Sequence, residues 1–244
     1  MTYTFRIKQK VTMLLMACIC MLQSVSAQRN LTTLRTQDHL VIMKSLIENL
    51  KELGQKKIIN KQSTSAEILF ALNKIEHLSL KTKGCITRFQ NFNKLTNETA
   101  IPPELSAMVK EVIKRTSVYN FKSNKEYEKQ LILAMNDHKY DKYPSIKVGL
   151  KTALAFYKDG KNSIYSAKYY SRLPGVKNKD FKDLESKAKE ILEADKNGAI
   201  GGAAAGCVAT VEVGCFPGAV TGAATGGVVG STAQSVIEFL DWLF

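Results

Sequence analysis

The sequence predicts an all-α protein, in which an irregular helical bundle is followed by a glycine-rich helical hairpin. Apolar residues recur through most of the chain at the three- and four-residue spacing of helices that bury one face. Capping boxes or prolines, which are typical first-turn signals, precede several of these segments. No segment shows the alternation of apolar and polar residues that is typical of a half-buried strand.

The first 27 residues have the organisation of a secretory signal peptide. A basic start (Arg6, Lys8 and Lys10) precedes an apolar run over residues 11–22 and the small-residue end Val25-Ser26-Ala27. We therefore expect cleavage after Ala27 and a secreted or cell-envelope location, either periplasmic or membrane-associated. An uncleaved anchor is the weaker alternative, because the apolar run is short for a bilayer span.

Charge divides the remaining chain into a basic α-helical domain (residues 28–196) and an almost uncharged tail (residues 197–244). The whole chain carries +13, of which the signal peptide contributes +3 and the tail −3, so residues 28–196 also carry +13. Such a domain is typical of proteins that bind an anionic membrane or cell-envelope surface, which is the expected partner. Nucleic acid is not expected, because the chain is predicted to be secreted and has no recognised nucleic-acid-binding motif.

The first helices are predicted from apolar spacing. Residues 37–53 form one helix with Gly54 as its stop, and its inward residues are Leu40, Met43, Ile47, Leu50 and Leu53. A capping box over residues 64–67 opens the second, with inward residues Ile68, Leu69, Leu72, Ile75 and Leu78. A shorter helix is predicted through Ile86, Phe89 and Phe92.

Prolines and a second capping box predict the middle helices. Pro102-Pro103 starts one helix, with inward residues Leu105, Met108, Val109, Val112 and Ile113. The capping box over residues 123–126 opens a helix through Tyr127, Leu131 and Met135. Pro144 begins another, interrupted near Gly160, with inward residues Ile146, Val148, Leu150, Leu154 and Phe156.

The last body helices are predicted on either side of Pro174. One passes through Ile164 and Tyr169 and ends before this proline. The other covers residues 178–194 and directs inward Phe181, Leu184, Ala188, Ile191 and Leu192. Asn197-Gly198 predicts a break after it.

Glycine then recurs at almost every fourth position of the tail. Each glycine inside a helix costs about 1 kcal/mol relative to alanine, so the repeat indicates a stripe without side chains against which another helix backbone packs. A spacing of four drifts by about 40° per step, so two short helices fit the pattern better than one straight helix. Because Pro217 favours a turn, we expect a hairpin of residues 198–212 against 217–241. The predicted helix-packing stripe consists of Gly198, Gly202, Gly206, Gly214, Gly218, Gly222, Gly226 and Gly230.

Cysteines and aromatic residues add two expectations for the tail. Cys207 and Cys215 flank the predicted turn and can form a disulfide if their Cα atoms are close enough, which would leave Cys85 as a free thiol. Trp242 and Phe244 stand in an apolar end of the chain. They are candidate anchors at a membrane interface, and the alternative is that this end packs against the body as core.

No catalytic motif accompanies these features. The histidines His39, His77 and His138 are far apart in sequence, and no metalloprotease, nucleophile-elbow or phosphate-loop motif occurs. We therefore expect neither enzymatic activity nor a metal or cofactor.

The glycine run from Gly214 to Gly230 resembles the glycine-zipper segments of bacterial envelope proteins and of membrane-active bacteriocin-type peptides. The resemblance covers about the last fifth of the chain. It implies insertion into a bilayer or assembly within it, and so a homo-oligomer through the glycine stripe. The helical body resembles no family.

Two functional hypotheses follow. In the first, a secreted envelope-associated or membrane-active protein, of a bacteriocin-like or toxin-like type, binds an anionic surface through its body and inserts or oligomerises through its hairpin. In the second, a soluble secreted structural or interaction protein uses the same hairpin as a closely packed core.

Overall fold

The computed structural model describes residues 40–60, 63, 65–78, 83, 100–172, 180–210, 214–227 and 230, and every regular element within them is a helix. The predicted fold class, an all-α bundle followed by a glycine-rich helical hairpin, is confirmed. The predicted signal peptide, the predicted helix through Ile86 and Phe92, Cys85, and the terminal residues Trp242 and Phe244 lie outside the described residues.

Eight α-helices follow one another in the described part of the chain. We label them α1 (40–55), α2 (Ser65–Asn73), α3 (Pro103–Arg115), α4 (Asn124–Met135), α5 (Pro144–Gly160), α6 (Ala167–Tyr170), α7 (Phe181–Ala209) and α8 (215–227). Short 3₁₀ turns connect α3 to α4 (Val118–Asn120) and α4 to α5 (His138–Tyr140).

Local signals in the sequence set the starts of the middle helices. Pro103 and Pro144 are the first residues of α3 and α5, where a backbone N–H is not needed. At α4, the Ser123 hydroxyl accepts a hydrogen bond from the Glu126 N–H at 3.2 Å. The Glu126 carboxylate in turn accepts one from the Lys122 N–H at 3.0 Å. Both bonds satisfy N–H groups that have no partner within the helix.

The body helices share one apolar core. The inward face of α1 is buried in it through Met43, Leu46, Ile47, Leu50 and Leu53. Tyr127 and Tyr157 lie in the same core with their ring centroids 5.1 Å apart in an edge-to-face arrangement. The Tyr157 hydroxyl donates to the Asn124 carbonyl at 3.1 Å, so this large side chain is buried with its polar end satisfied.

The predicted break at Asn197-Gly198 is wrong, because α7 continues through both residues. The helix continues for 29 residues, and residues 196 and 197, between which we placed the domain boundary, both lie inside it. The break was predicted from the poor helix propensity of Asn197-Gly198. Packing outweighs that propensity here, because the core of the body continues into the second half of α7 with Ala199, Ile200 and Ala204. Phe181, predicted to face inward, is 56% exposed.

Candidate functional site

The glycines of α7 and α8 form a close antiparallel contact between two helix backbones, which we call the glycine seam. A Cβ atom added at any of its six central glycines would lie closer than 3.0 Å to backbone atoms of the opposite helix. Real Cβ atoms essentially never approach other atoms so closely, so a side chain at any of these positions would push the helices apart. The seam pairs Gly198 with Gly226, Gly202 with Gly222, and Gly206 with Gly218.

The two ends of the seam differ. At the open end, Gly230 faces the backbone of Ala194 and extends the contact into the more polar half of α7. At the closed end, Gly214 has a φ of +115° and lies in the turn, so its prediction as part of the stripe is wrong. A Cβ atom on Gly214 would meet only Pro217, at 3.7 Å. The glycine is required there by the backbone conformation and not by a neighbouring helix.

A disulfide and a hydroxyl group hold the closed end. Cys207 and Cys215, eight residues apart, are joined by a disulfide that links the last turn of α7 to the first turn of α8. Thr210, where the glycine period fails, follows the end of α7. Its hydroxyl lies 2.9 Å from the Gly206 carbonyl and 3.1 Å from the Gly214 carbonyl, and it can donate to either.

The helix α5 covers the hairpin on the side of the body. A Cβ atom added at Gly149 would lie 2.6 Å from the Cα atom of Ile200, so α5 approaches α7 almost as closely as α8 does. The Phe156 ring packs directly on Gly227 of α8. A small apolar cluster fills the space between, with Ala203, Ala219 and Ala223 packed against Val148 and Cys207. The hairpin is therefore part of the bundle.

A buried ion pair between Lys196 and Glu193 lies on α7 just before the seam. The sequence did not predict it. Lys196 is 0% exposed, and its ammonium group donates to the Glu193 carboxylate at 2.7 Å and to the Ile113 carbonyl at 3.1 Å. The second carboxylate oxygen of Glu193 accepts a hydrogen bond from the Val118 N–H at 2.9 Å. Burial lowers the pKa of Lys196, and the neighbouring Glu193 opposes that shift. The pair fixes α7 to the end of α3.

Buried tyrosines surround the next carboxylate, Asp195. The Tyr165 hydroxyl donates to Asp195, and both side chains are buried. Burial raises the pKa of Tyr165 and of Tyr127 well above the usual range, and the nearby carboxylates of Asp195 and Glu193 add to the effect. Both hydroxyls therefore stay protonated at neutral pH, and the Tyr165 hydroxyl can serve as a donor to the carboxylate.

The described histidines are placed separately on the surface. His77 lies 3.3 Å from a Glu52 carboxylate oxygen, and His138 lies 3.0 Å from one of Asp141. In the part of the chain that the structure describes, no three metal-binding side chains come together. His39 lies outside it.

Positive charge is spread over the body that precedes α7. Residues 28–99 contain 12 lysine and arginine residues and 6 aspartate and glutamate residues, a net charge of +6. Residues 100–172 contain 14 lysine and arginine residues and 7 aspartate and glutamate residues, a net charge of +7. By contrast, residues 180–210 contain four lysines and six acidic residues, and residues 214–230 contain no charged residue. The positive charge therefore belongs to the body before α7, and the glycine seam carries none.

Comparison with protein-family models, with curated proteins and with solved structures finds no match to this chain. The fold and the site therefore define its class on their own: an all-α protein whose disulfide-closed glycine hairpin packs into a basic helical bundle. Among the described residues, no helix combines the length and the apolar character that crossing a membrane requires.

Proposed function

We propose that this chain is an exported, non-enzymatic binding protein that attaches to an anionic membrane or cell-envelope surface through its basic body. The glycine hairpin serves in this proposal as structural core. The observation that carries it is that the glycine faces of α7 and α8 already cover each other within one chain. A second copy or a lipid could reach those faces only after the hairpin opened, so attachment is assigned to the body.

Two features support an exported protein. The first 27 residues have the basic, apolar and small-residue regions of a signal peptide. Cys207 and Cys215 form a disulfide, and such bonds persist mainly in oxidising compartments outside the cytosol.

The charge distribution supports an anionic partner. Residues 28–172 carry a net charge of +13, and an excess of basic residues of this size produces a positive field that attracts anionic surfaces and polymers. Because the field is screened by salt, attachment should weaken as ionic strength rises.

The test uses the protein expressed from Gln28 and three binding partners. These are dye-loaded vesicles of phosphatidylcholine alone, vesicles of equal parts phosphatidylcholine and phosphatidylglycerol, and beads carrying dextran sulfate. We expect salt-sensitive binding to at least one anionic partner, no binding to neutral vesicles and no dye release. Dye release from the anionic vesicles would show that the hairpin inserts and would overturn its structural role. Failure to bind either anionic partner would overturn the role of the basic body.

A further inference from the structure

We infer that the attachment surface is a lysine face formed jointly by α4 and α5, and that the partner it fits is an anionic lipid bilayer. The inference rests on the proposed function and adds to it the residues and the kind of partner. The lysine face consists of Lys125 and Lys129 on α4, of Lys151 and Lys158 on α5, and of Lys161 directly after the end of α5.

The Glu128 carboxylate lies at the centre of this face, between two lysines. The ammonium groups of Lys158 and Lys161 lie 3.5 Å and 3.6 Å from the two carboxylate oxygens of Glu128. These contacts join the end of α5 to the start of α4, which also meet where the Tyr157 hydroxyl donates to the Asn124 carbonyl. Two cations share a single anion, so the centre of the face keeps a positive charge.

Helical spacing places the other lysines beside this centre. Lys125 and Lys129 are four residues apart and therefore lie on the same side of α4, and Lys125 precedes Glu128 by three residues, so it also neighbours that carboxylate. Lys151 precedes Lys158 by two turns, about 10 Å along α5. Lys125, Lys129 and Lys151 are exposed, and none of them forms an ion pair with a described carboxylate. Glu126 lies three residues before Lys129, and Asp159 follows Lys158. The face therefore carries five lysines and three carboxylates and keeps a net positive charge.

An exposed leucine favours a bilayer over a soluble polymer. Leu133 is 49% exposed and lies one turn after Lys129 on the same side of α4. Peripheral proteins bind bilayers by combining basic groups at the headgroups with apolar side chains that enter the interface. Lysine suits this arrangement, because its apolar stem can lie along the interface while its ammonium group reaches the anionic headgroups.

The low positive charge of α7 and α8 helps to orient the protein toward an anionic surface. The helix α7 carries more acidic than basic residues and the described part of α8 carries no charge, so neither competes with the lysine face for an anionic surface. The positive charge is therefore lowest in α7 and α8, and this asymmetry orients the protein as it approaches a bilayer. The glycine hairpin then remains packed in the bundle while the protein is attached.

The experiment compares two triple variants of the protein expressed from Gln28. The first removes charge from the lysine face by Lys125→Gln, Lys129→Gln and Lys158→Gln. The matched control removes the same charge from exposed lysines of α3 and α6 by Lys110→Gln, Lys114→Gln and Lys168→Gln. Affinity is measured by sedimentation with vesicles of equal parts phosphatidylcholine and phosphatidylglycerol, and circular dichroism checks that both variants unfold at the wild-type temperature.

Each lysine near an anionic bilayer contributes about fivefold in affinity, so we expect the first variant to bind about 100-fold more weakly. The control should lose much less, because charges beyond a Debye length of about 8 Å from the bilayer are screened. Equal losses in the two variants, or a larger loss in the control, would overturn the lysine face. Wild-type protein that binds dextran sulfate but no anionic vesicle would overturn the bilayer as partner. Wild-type protein that binds neither would instead overturn the proposed function.

Discussion

The two halves of α7 pack by opposite means. Up to Lys196, the helix buries large side chains such as Leu184, Ile191 and Leu192, together with an ion pair that reaches α3. Beyond it, Ile200 and several alanines continue the apolar core, and the face toward α8 lacks side chains, so that the two helix backbones touch. The first half therefore packs through side-chain contacts, whereas the α8 face of the second half depends on the lack of side chains at its glycines. Substitutions should therefore act differently in each half.

The largest effect is expected from Lys196→Met in the first half. The change removes the cation from a buried pair and leaves the Val118 N–H as the remaining partner of the Glu193 carboxylate among the described residues. Removing one partner of a buried ion pair typically costs about 3–5 kcal/mol in the free energy of unfolding. Urea unfolding followed by circular dichroism would measure the loss.

The matched control is Lys189→Met, two turns earlier on α7. Lys189 contacts the Glu185 carboxylate at 3.0 Å, and both side chains are substantially exposed. Because exposed pairs contribute little, this variant should unfold close to the wild-type urea concentration. Similar losses in the two variants would mean that burial is not what makes the Lys196 pair important.

An intermediate effect is expected from removing the disulfide in the second half. The double change Cys207→Ala and Cys215→Ala frees a short loop in the unfolded chain and should lower the free energy of unfolding by about 2–3 kcal/mol. Amide hydrogen exchange should accelerate most in α8, whose glycines favour a helix poorly. The control is wild-type protein whose disulfide has been reduced, which should show the same loss of stability and the same faster exchange in α8. Faster exchange throughout the first half of α7, with unchanged exchange in α8, would contradict the role of the disulfide in stabilising the hairpin.

Much of the fold could be predicted because its signals are local. Pro103, Pro144 and the capping interaction of Ser123 with Glu126 mark helix starts within a few residues of chain. The hairpin could also be predicted, because the glycine period and Pro217 together indicate two helical arms joined by a turn, although the first arm is the second half of the long helix α7. In each case the residues that specify the element lie inside it or next to it.

The features that could not be predicted from the sequence depend on contacts between residues that are distant in sequence. Lys196 and Asp195 read as a solvated charged end, whereas they are buried by segments more than two dozen residues away, including Ile113 and Tyr165. The lysine face likewise exists only because α4 and α5 pack side by side. Gly214 belongs to the turn because of its positive φ, which composition does not distinguish from the helical glycines around it.

Two neighbouring glycines of α7 allow a direct test of the glycine seam. A Cβ atom at Gly201 would meet nothing within 4 Å, whereas one at Gly202 would lie closer than 3.0 Å to the backbone of Gly222. Both changes to alanine improve helix propensity by up to about 1 kcal/mol, so the difference between them reports the seam alone. We predict that Gly201→Ala leaves the free energy of unfolding unchanged or raises it, and that Gly202→Ala lowers it by about 1–3 kcal/mol. Equal stabilisation by both changes would contradict a seam closed within one chain.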